Sequence, residues 1–328
     1  MHKLTLNRTM LAALACALSS AALADGSTSD FSQRCAGAFF CQGFDTPVAT
    51  GTKGDEGVVS GSRTLATSRR PLVDKGVLHF EILPGQVSGG AGYYYFDFAE
   101  RDGIKIGPGE SIFVQWRQYM PAALVTTRFA AVKGKGTAPK QLIFSQDGES
   151  GRDSTCTPNQ IVVVAGSIAS SPGHRYPSMY NSCGTINLIE LAGPTVGGSK
   201  RWDRQPIGNV APSVARQCWR GNTDGCWEHL PDTWATYQVG LTVAPTSYVD
   251  SRGRQYWDCH VQLWAKTDGK PTEVVIDIVE PIGHADLKWG RVWLLPYMTK
   301  KDPAQVHPET FTDYDELILS RQRIPDPQ

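Results

Sequence analysis

The chain has almost no helical periodicity, no excess of either charge and, past its first residues, no long apolar run. Lys plus Arg and Asp plus Glu number 32 each in 328 residues, so the formal charge is zero. That lacks the basic footprint that a phosphate backbone demands and excludes nucleic acid as the expected partner. No stretch beyond residue 24 approaches the roughly 20 continuous apolar residues of a membrane-spanning helix. Zinc needs closely spaced Cys or His ligands, and no Cys-x-x-Cys or His-x-x-x-His occurs, so no metal site is assigned. No Gly-x-Ser-x-Gly elbow presents a serine nucleophile, and no twelve-residue calcium loop is written. Structural calcium held by loop carboxylates such as Asp45, Asp147 and Asp153 is the one cofactor the composition admits.

What is present begins with a leader. MHKLTLNRTMLAALACALSSAALA has a basic start (Lys3, Arg8), an apolar run from Met10 and a small-residue end at Ala22-Leu23-Ala24. This reads as a signal peptide over 1–24, with a mature start at Asp25 and a secreted or periplasmic protein. Loss of Lys3 and Arg8 leaves a formal charge of about −2. Residues 25–328 are expected to form a single domain with elaborated loops.

The mature cysteines are Cys35, Cys41, Cys156, Cys183, Cys218, Cys226 and Cys259. An oxidising compartment favours disulfides, and an odd number leaves at least one thiol over. Short loops suggest Cys35–Cys41 and Cys218–Cys226, then Cys156–Cys183. Cys259 lies within a strand pattern and is expected to be a buried free thiol.

Strand signals dominate. VLHFEIL (77–83), GYYYFDF (92–98), SIFVQWRQYM (111–120), KQLIFSQ (140–146), ATYQVGLTV (235–243), YWDCHVQLWAK (256–266), TEVVIDIV (272–279), RVWLLPY (291–297) and YDELILS (314–320) alternate or are β-branched and aromatic. Many short strands between turn signals predict an all-β, antiparallel β-sandwich or jelly roll. The Asp-Gly of TDGKP (267–271) predicts a hairpin between its flanking strands. Residues 147–234 are rich in Gly, Ser and Pro and hold four cysteines; apart from IVVVAGSI they read as a disulfide-stapled loop region, a wall or lid at one end of the sandwich.

Alternation divides three strands into faces. Trp257, Cys259, Val261, Leu263 and Ala265 point to a core, while Tyr256, Asp258, His260, Gln262 and Trp264 point away. Phe113, Gln115, Arg117 and Tyr119 oppose Ile112, Val114 and Trp116. Gln238 lies on the outward side of 235–243. Side by side these faces make a trough that suits a polysaccharide: rings stack on sugars, amides bond hydroxyls, and a guanidinium grips a carboxylate. The competing reading is a solvated sheet face. His174 and Tyr180 of the stapled region are candidates to complete the site.

The closing YDELILSRQRI, the preceding RVWLLPYMT and the early FFCQGFD resemble strands of the concanavalin A-like lectin/glucanase superfamily. The resemblance implies a jelly roll whose last strand pairs with its first, and a sugar-related role shared by lectins, hydrolases and lyases. The Glu-x-Asp-x-Glu of laminarinase-type glucanases is absent: strict alternation puts Glu316 on one face with Tyr314 and Ile318. Relative to family 7 alginate lyases, Arg117 and Gln141 match an Arg-bearing strand and a Gln-x-His strand in part, with Ile143 where the His would stand. The expected function is therefore cleavage of a uronate polymer by β-elimination, with a non-catalytic carbohydrate-binding module as alternative and a glycoside hydrolase behind both. In the lyase, Arg117 with Gln115 or Gln262 neutralises the carboxylate, His260 is the base, and Tyr119 or Tyr256 donates a proton. Gln141, Gln238, Asp258 and Trp264 line the groove.

Overall fold

The structure, a computed structural model, describes residues 27–51, 56–59, 67–133, 135–146, 159–166, 176–183, 195–196, 199–202, 204–205, 216–217, 227–251, 253, 255–283 and 288–328. The leader, His174, Asp147 and Asp153 lie outside them.

Short elements come first: α1 (Phe31–Arg34), β1 (Phe40–Gln42), β2 (Gly57–Val59), β3 (Leu72–Asp74), β4 (Val77–Ile82), β5 (Tyr93–Asp97) and α2 (Phe98–Asp102). Next are β6 (Ser111–Met120), α3 (Ala122–Thr126), β7 (Phe129–Ala131), β8 (Lys135–Thr137), β9 (Lys140–Gln146), β10 (Asn159–Gly166) and β11 (Tyr176–Cys183). Four two- to four-residue strands follow, β12 (Thr195–Val196), β13 (Ser199–Trp202), β14 (Arg204–Gln205) and β15 (Arg216–Gln217). The last five are β16 (Thr233–Val249), β17 (Gln255–Thr267), β18 (Glu273–Gly283), β19 (Trp289–Leu294) and β20 (Thr310–Ser320).

Two antiparallel sheets stack. Sheet one runs β18-β17-β16-β6-β20-β4-β3, with β1 also on β20; sheet two runs β12-β13-β11-β10-β9-β19-β5-β2. One apolar core joins their inner faces, with Val114, Trp116, Tyr237, Val239 and Leu263 from sheet one and Leu142, Phe144, Val163, Val292 and Leu294 from sheet two. Each such side chain stabilises the fold by roughly 1.5–3 kcal/mol on burial. The all-β sandwich expected from alternation is the observed architecture. The first strand pairs with the last, Phe40 opposite Leu319. The Asp-Gly turn joins β17 to β18, with Gly269 at φ +73°, a conformation that favours glycine.

Two expectations change. Residues 147–234 are not only loop, since β10 and β11 pair over eight residues and extend sheet two beyond β9. Val162 and Val163 are both fully buried; a strand covered on both faces shows a continuous apolar run, not alternation. The second change is in β20. Its register on β6 passes from Asp315↔Arg117 to Ile318↔Gln115, one residue more on β20 than on its partner. Glu316 takes φ +50° at this bulge. The extra residue rephases the strand, so Glu316 leaves the face of Tyr314 and joins Asp315 on the outer one.

Cys35 and Cys41 form a disulfide across α1 and β1, and Cys259 is a buried free thiol. Desolvation pushes its pKa up to about 12, which makes it inert as a nucleophile. The other expected pairings involve side chains outside the described residues.

Candidate functional site

The outer face of sheet one is where alternation put the trough, and part of it is covered by residues 27–35 and by the C-terminal residues 324–328. Residues 27–35 cross it from one side: the Thr28 amide and hydroxyl both donate to Glu316, and Arg34 donates to Glu316, to the Gln115 carbonyl oxygen, to the Thr28 hydroxyl and to Asp30. The C-terminal residues cross from the other side. Gln115 donates to the Pro325 carbonyl at 3.1 Å, Gln238 exchanges two bonds with Ile324 (2.9 and 2.8 Å), and Lys266 donates to the Pro327 carbonyl. The two ends touch where the Gln328 amide donates to Asp30 at 3.0 Å.

Under this cover Arg117 is 3 % exposed. Its two terminal nitrogens grip both Asp268 oxygens at 2.9 and 2.7 Å, one also reaches Thr236 at 3.2 Å, and Glu316 lies 3.8 Å from its Nε. A guanidinium so engaged is a cross-sheet ion pair. Asp315 accepts from the Glu316 amide and from Ser27. Burial, with the neighbouring Glu316 charge adding to it, pushes its carboxyl up to about 8.

His260 lies elsewhere. Arg117 is opposite Thr236 and His260 opposite Thr242, six residues further along β16, so the two stand roughly 20 Å apart at about 3.3 Å per residue. His260 Nε2 is 2.5 Å from Asp277, and Gln262 also donates to Asp277 at 3.3 Å. This cluster is open, with the His260 and Asp277 side chains 40 % and 38 % exposed. Tyr256 is four residues from His260 and stacks on Tyr248, Asp258 is exposed on the same strand, and Trp264 lies under Arg323. Tyr119 is beyond Arg117, bonded to Asp232 at 3.4 Å; burial first and Asp232 second raise its pKa.

The expected base, carboxylate clamp and proton donors therefore do not meet at one point. Gln115 and Gln238 serve the C-terminal cover. Gln141 is not in a groove at all: it sits between the sheets, donating to Gln118 at 2.8 Å, because a register shift interrupts the β9–β10 pairing beside it.

The outer face of sheet two was missed by alternation. Tyr95, Trp293, Ile143, Val162 and Tyr180 are successive cross-strand partners on β5, β19, β9, β10 and β11. All but Tyr180 belong to a second apolar cluster, against which Tyr93, Tyr180 and Tyr297 pack half-buried. Arg291 bonds to Asp97 beneath this face and lies 5.6 Å from the Trp293 ring.

At one end of the row stands Lys140. Its amide donates to the Tyr297 carbonyl at 2.9 Å. Its ammonium is 4.7 Å from the Tyr297 ring and 5.9 Å from the Tyr180 ring. Desolvation pulls its pKa down to about 8. Of the sequence-expected site residues only Tyr180 is here. The signal for the rest was available: Lys140 begins β9 and Tyr297 follows β19, two apolar strands whose continuous runs mark burial on both faces.

No family model matches the chain, and no curated protein matches it. Solved structures do. The alginate lyase Aly36B is 12 % identical with a TM-score of 0.47, over 88 % of this chain and 98 % of that one. A pseudo β-1,3-glucanase of Mycobacterium tuberculosis is 13 % identical with a TM-score of 0.44, over 88 % and 100 %. An endo-β-1,4-glucuronan lyase from the fungus Trichoderma reesei is 11 % identical with a TM-score of 0.41, over 87 % and 96 %. Two of these neighbours are polysaccharide lyases and one is a pseudo-glucanase.

Proposed function

We propose that this is an exported polysaccharide lyase that cleaves a uronate-containing chain by β-elimination, with its chemistry at Lys140, Tyr180 and Tyr297 on sheet two. One observation carries the reading: a lysine pulled down to about 8, held between two tyrosine rings on a sheet face. A lysine at its ordinary value near 10.4 is almost wholly protonated at neutrality; at about 8, roughly a tenth is free amine at pH 7, and that form is a competent base. In the reaction the amine takes the proton on the carbon beside the uronate carboxylate. The electron pair left behind forms the C4=C5 double bond as the C4–oxygen bond breaks, and the departing oxygen takes a proton from a tyrosine hydroxyl. Tyr297 and Tyr180 are the donors available at this end of the row. Arg117 and His260 take no part, the first because its guanidinium is committed to Asp268 and the second because it lies on the opposite sheet.

The test is incubation with a panel of uronate polymers, following the ultraviolet absorbance of the unsaturated product. Lys140→Ala is expected to lower kcat by about 10²–10⁴-fold, the usual worth of a general base, and Tyr297→Phe by at least tenfold, while His260→Ala stays within twofold of wild type. The kcat/KM profile should climb with pH and level off above about 8. A Lys140→Ala protein that forms unsaturated product at the wild-type rate would end this reading.

A further inference from the structure

A line of rings on the outer face of sheet one belongs to neither the terminal cover nor the Lys140 site. Trp234 of β16, Tyr119 of β6, Asp313 of β20 and His79 of β4 are successive cross-strand partners. Phe311, two residues before Asp313 and so on the same side, fills the gap above it. Ring centroids step 5.7 Å from Trp234 to Tyr119, 6.0 Å from Tyr119 to Phe311 and 5.0 Å from Phe311 to His79. Tyr119 and Phe311 lie within 16° of parallel. All four rings are partly exposed.

We infer that this strip is a second, non-catalytic binding platform for an uncharged saccharide chain. Partly exposed rings set in a row across a sheet, each step on the scale of one sugar ring, offer successive apolar contacts for the apolar sides of pyranoses. Acceptors stand beside them for sugar hydroxyls. Asp232 lies at the Tyr119 hydroxyl, and Asp313 lies 2.6 Å from His79 Nδ1. The charges also choose the ligand. Asp232, Asp313 and Glu81 border the strip, the cations near it are Arg117, held by Asp268, Arg69, held by Glu81, and His79, held by Asp313. With those cations already engaged by carboxylates, an anionic chain finds no guanidinium or imidazolium waiting to grip it, whereas a neutral glycan meets hydrogen-bond acceptors.

Affinity electrophoresis of the full protein in native gels containing hydroxyethylcellulose, laminarin or galactomannan, with dextran sulfate, a polyanion that carries no uronate, as the anionic control, tests the inference. At least one neutral polymer is expected to retard the protein more than dextran sulfate does. Trp234→Ala and Phe311→Ala should each weaken that retardation at least tenfold with an unchanged circular dichroism spectrum, and Trp234→Phe should recover most of it. Lys140→Ala should be retarded like wild type whatever its effect on cleavage, so failure of the lyase reading and failure of this one are read separately. Absence of retardation by all three neutral polymers overturns the inference, as does equal retardation of the ring variants. Retention of the protein on a phenyl matrix, lost in the ring variants without any glycan effect, would make the strip a protein-docking surface instead.

Discussion

Arg34, Asp315 and Lys140 are three buried or desolvated ionisable residues whose charge bears on stability in different ways. Arg34 is 3 % exposed and ties α1 to Glu316, which is fully buried. Removing one member of a buried pair leaves an uncompensated charge and costs about 3–5 kcal/mol, so Arg34→Ala should lower the urea midpoint accordingly. Asp315 works in the opposite sense. Its folded pKa of about 8 lies above its ordinary 3.8, so its contribution to stability is complete below about 4 and is lost as pH rises through about 8. Asp315→Asn keeps an acceptor for the Glu316 amide and a partner for Ser27. It should be more stable than wild type at pH 8, on the order of 2 kcal/mol, with the difference vanishing near pH 4. Lys140 is displaced the other way. A folded value of about 8 against an ordinary 10.5 means that the charged form burdens the fold below pH 8 and that the burden lifts as pH rises toward 10.5. Lys140→Met should raise Tm at pH 7 while abolishing cleavage, the trade expected of a functional group held at a cost to stability; an unchanged Tm would argue against the desolvation assigned to it.

At the scale of elements most strands were readable, including β5, β9 and β19, which are buried on both faces; what their continuous apolar runs concealed was which side chains share the outer face. Ser111–Met120 and Lys140–Gln146 have the bounds that alternation predicts, and β16, β17 and β18 are longer versions of their expected selves. Tyr176–Cys183, with Pro177 and two serines, carries no period-two apolar signal, and its pairing with β10 is a tertiary decision. The trough failed for another reason. Alternation correctly put Gln115, Arg117 and Gln238 on the outer face, but it cannot say what lies on that face, and here the chain's last residues do. That cover is testable. Gln238→Ala removes both bonds to Ile324, and at about 1 kcal/mol net per bond it should cost about 2 kcal/mol. Hydrogen exchange should report faster opening at the Ile324 amide, and an unchanged protection factor there would count against the tail as part of the fold. The bulge at Glu316 was equally hidden, since one inserted residue leaves the composition of the strand intact while reversing the side to which a carboxylate points.

Across the whole molecule the two sheets divide the work. Sheet two presents the lysine and tyrosines on one outer face; sheet one presents the terminal cover, the His260–Asp277 pair and the ring strip on the other. The separation explains why a site assembled from sequence alone mixed members of different places: Tyr180 from one face, His260 and Arg117 from distant parts of the other, Gln141 from between them. Residue types suited to sugars are spread over both surfaces, and only the register of β6, β9, β16 and β19 decides which of them are neighbours.

The bond between Gln328 and Asp30 brings residues 27–328 back upon themselves, so that within this span the backbone order around the sandwich is close to circular. A variant in which a short Gly-Ser linker joins residue 328 to residue 27, with new ends opened at the β16–β17 turn, where Gly253 has φ +77° and no atom within 4 Å of an added Cβ, should keep both sheets and both outer faces. Such a protein would carry its free ends at the β16–β17 turn and none beside Glu316, leaving the ionic knot sealed by continuous chain.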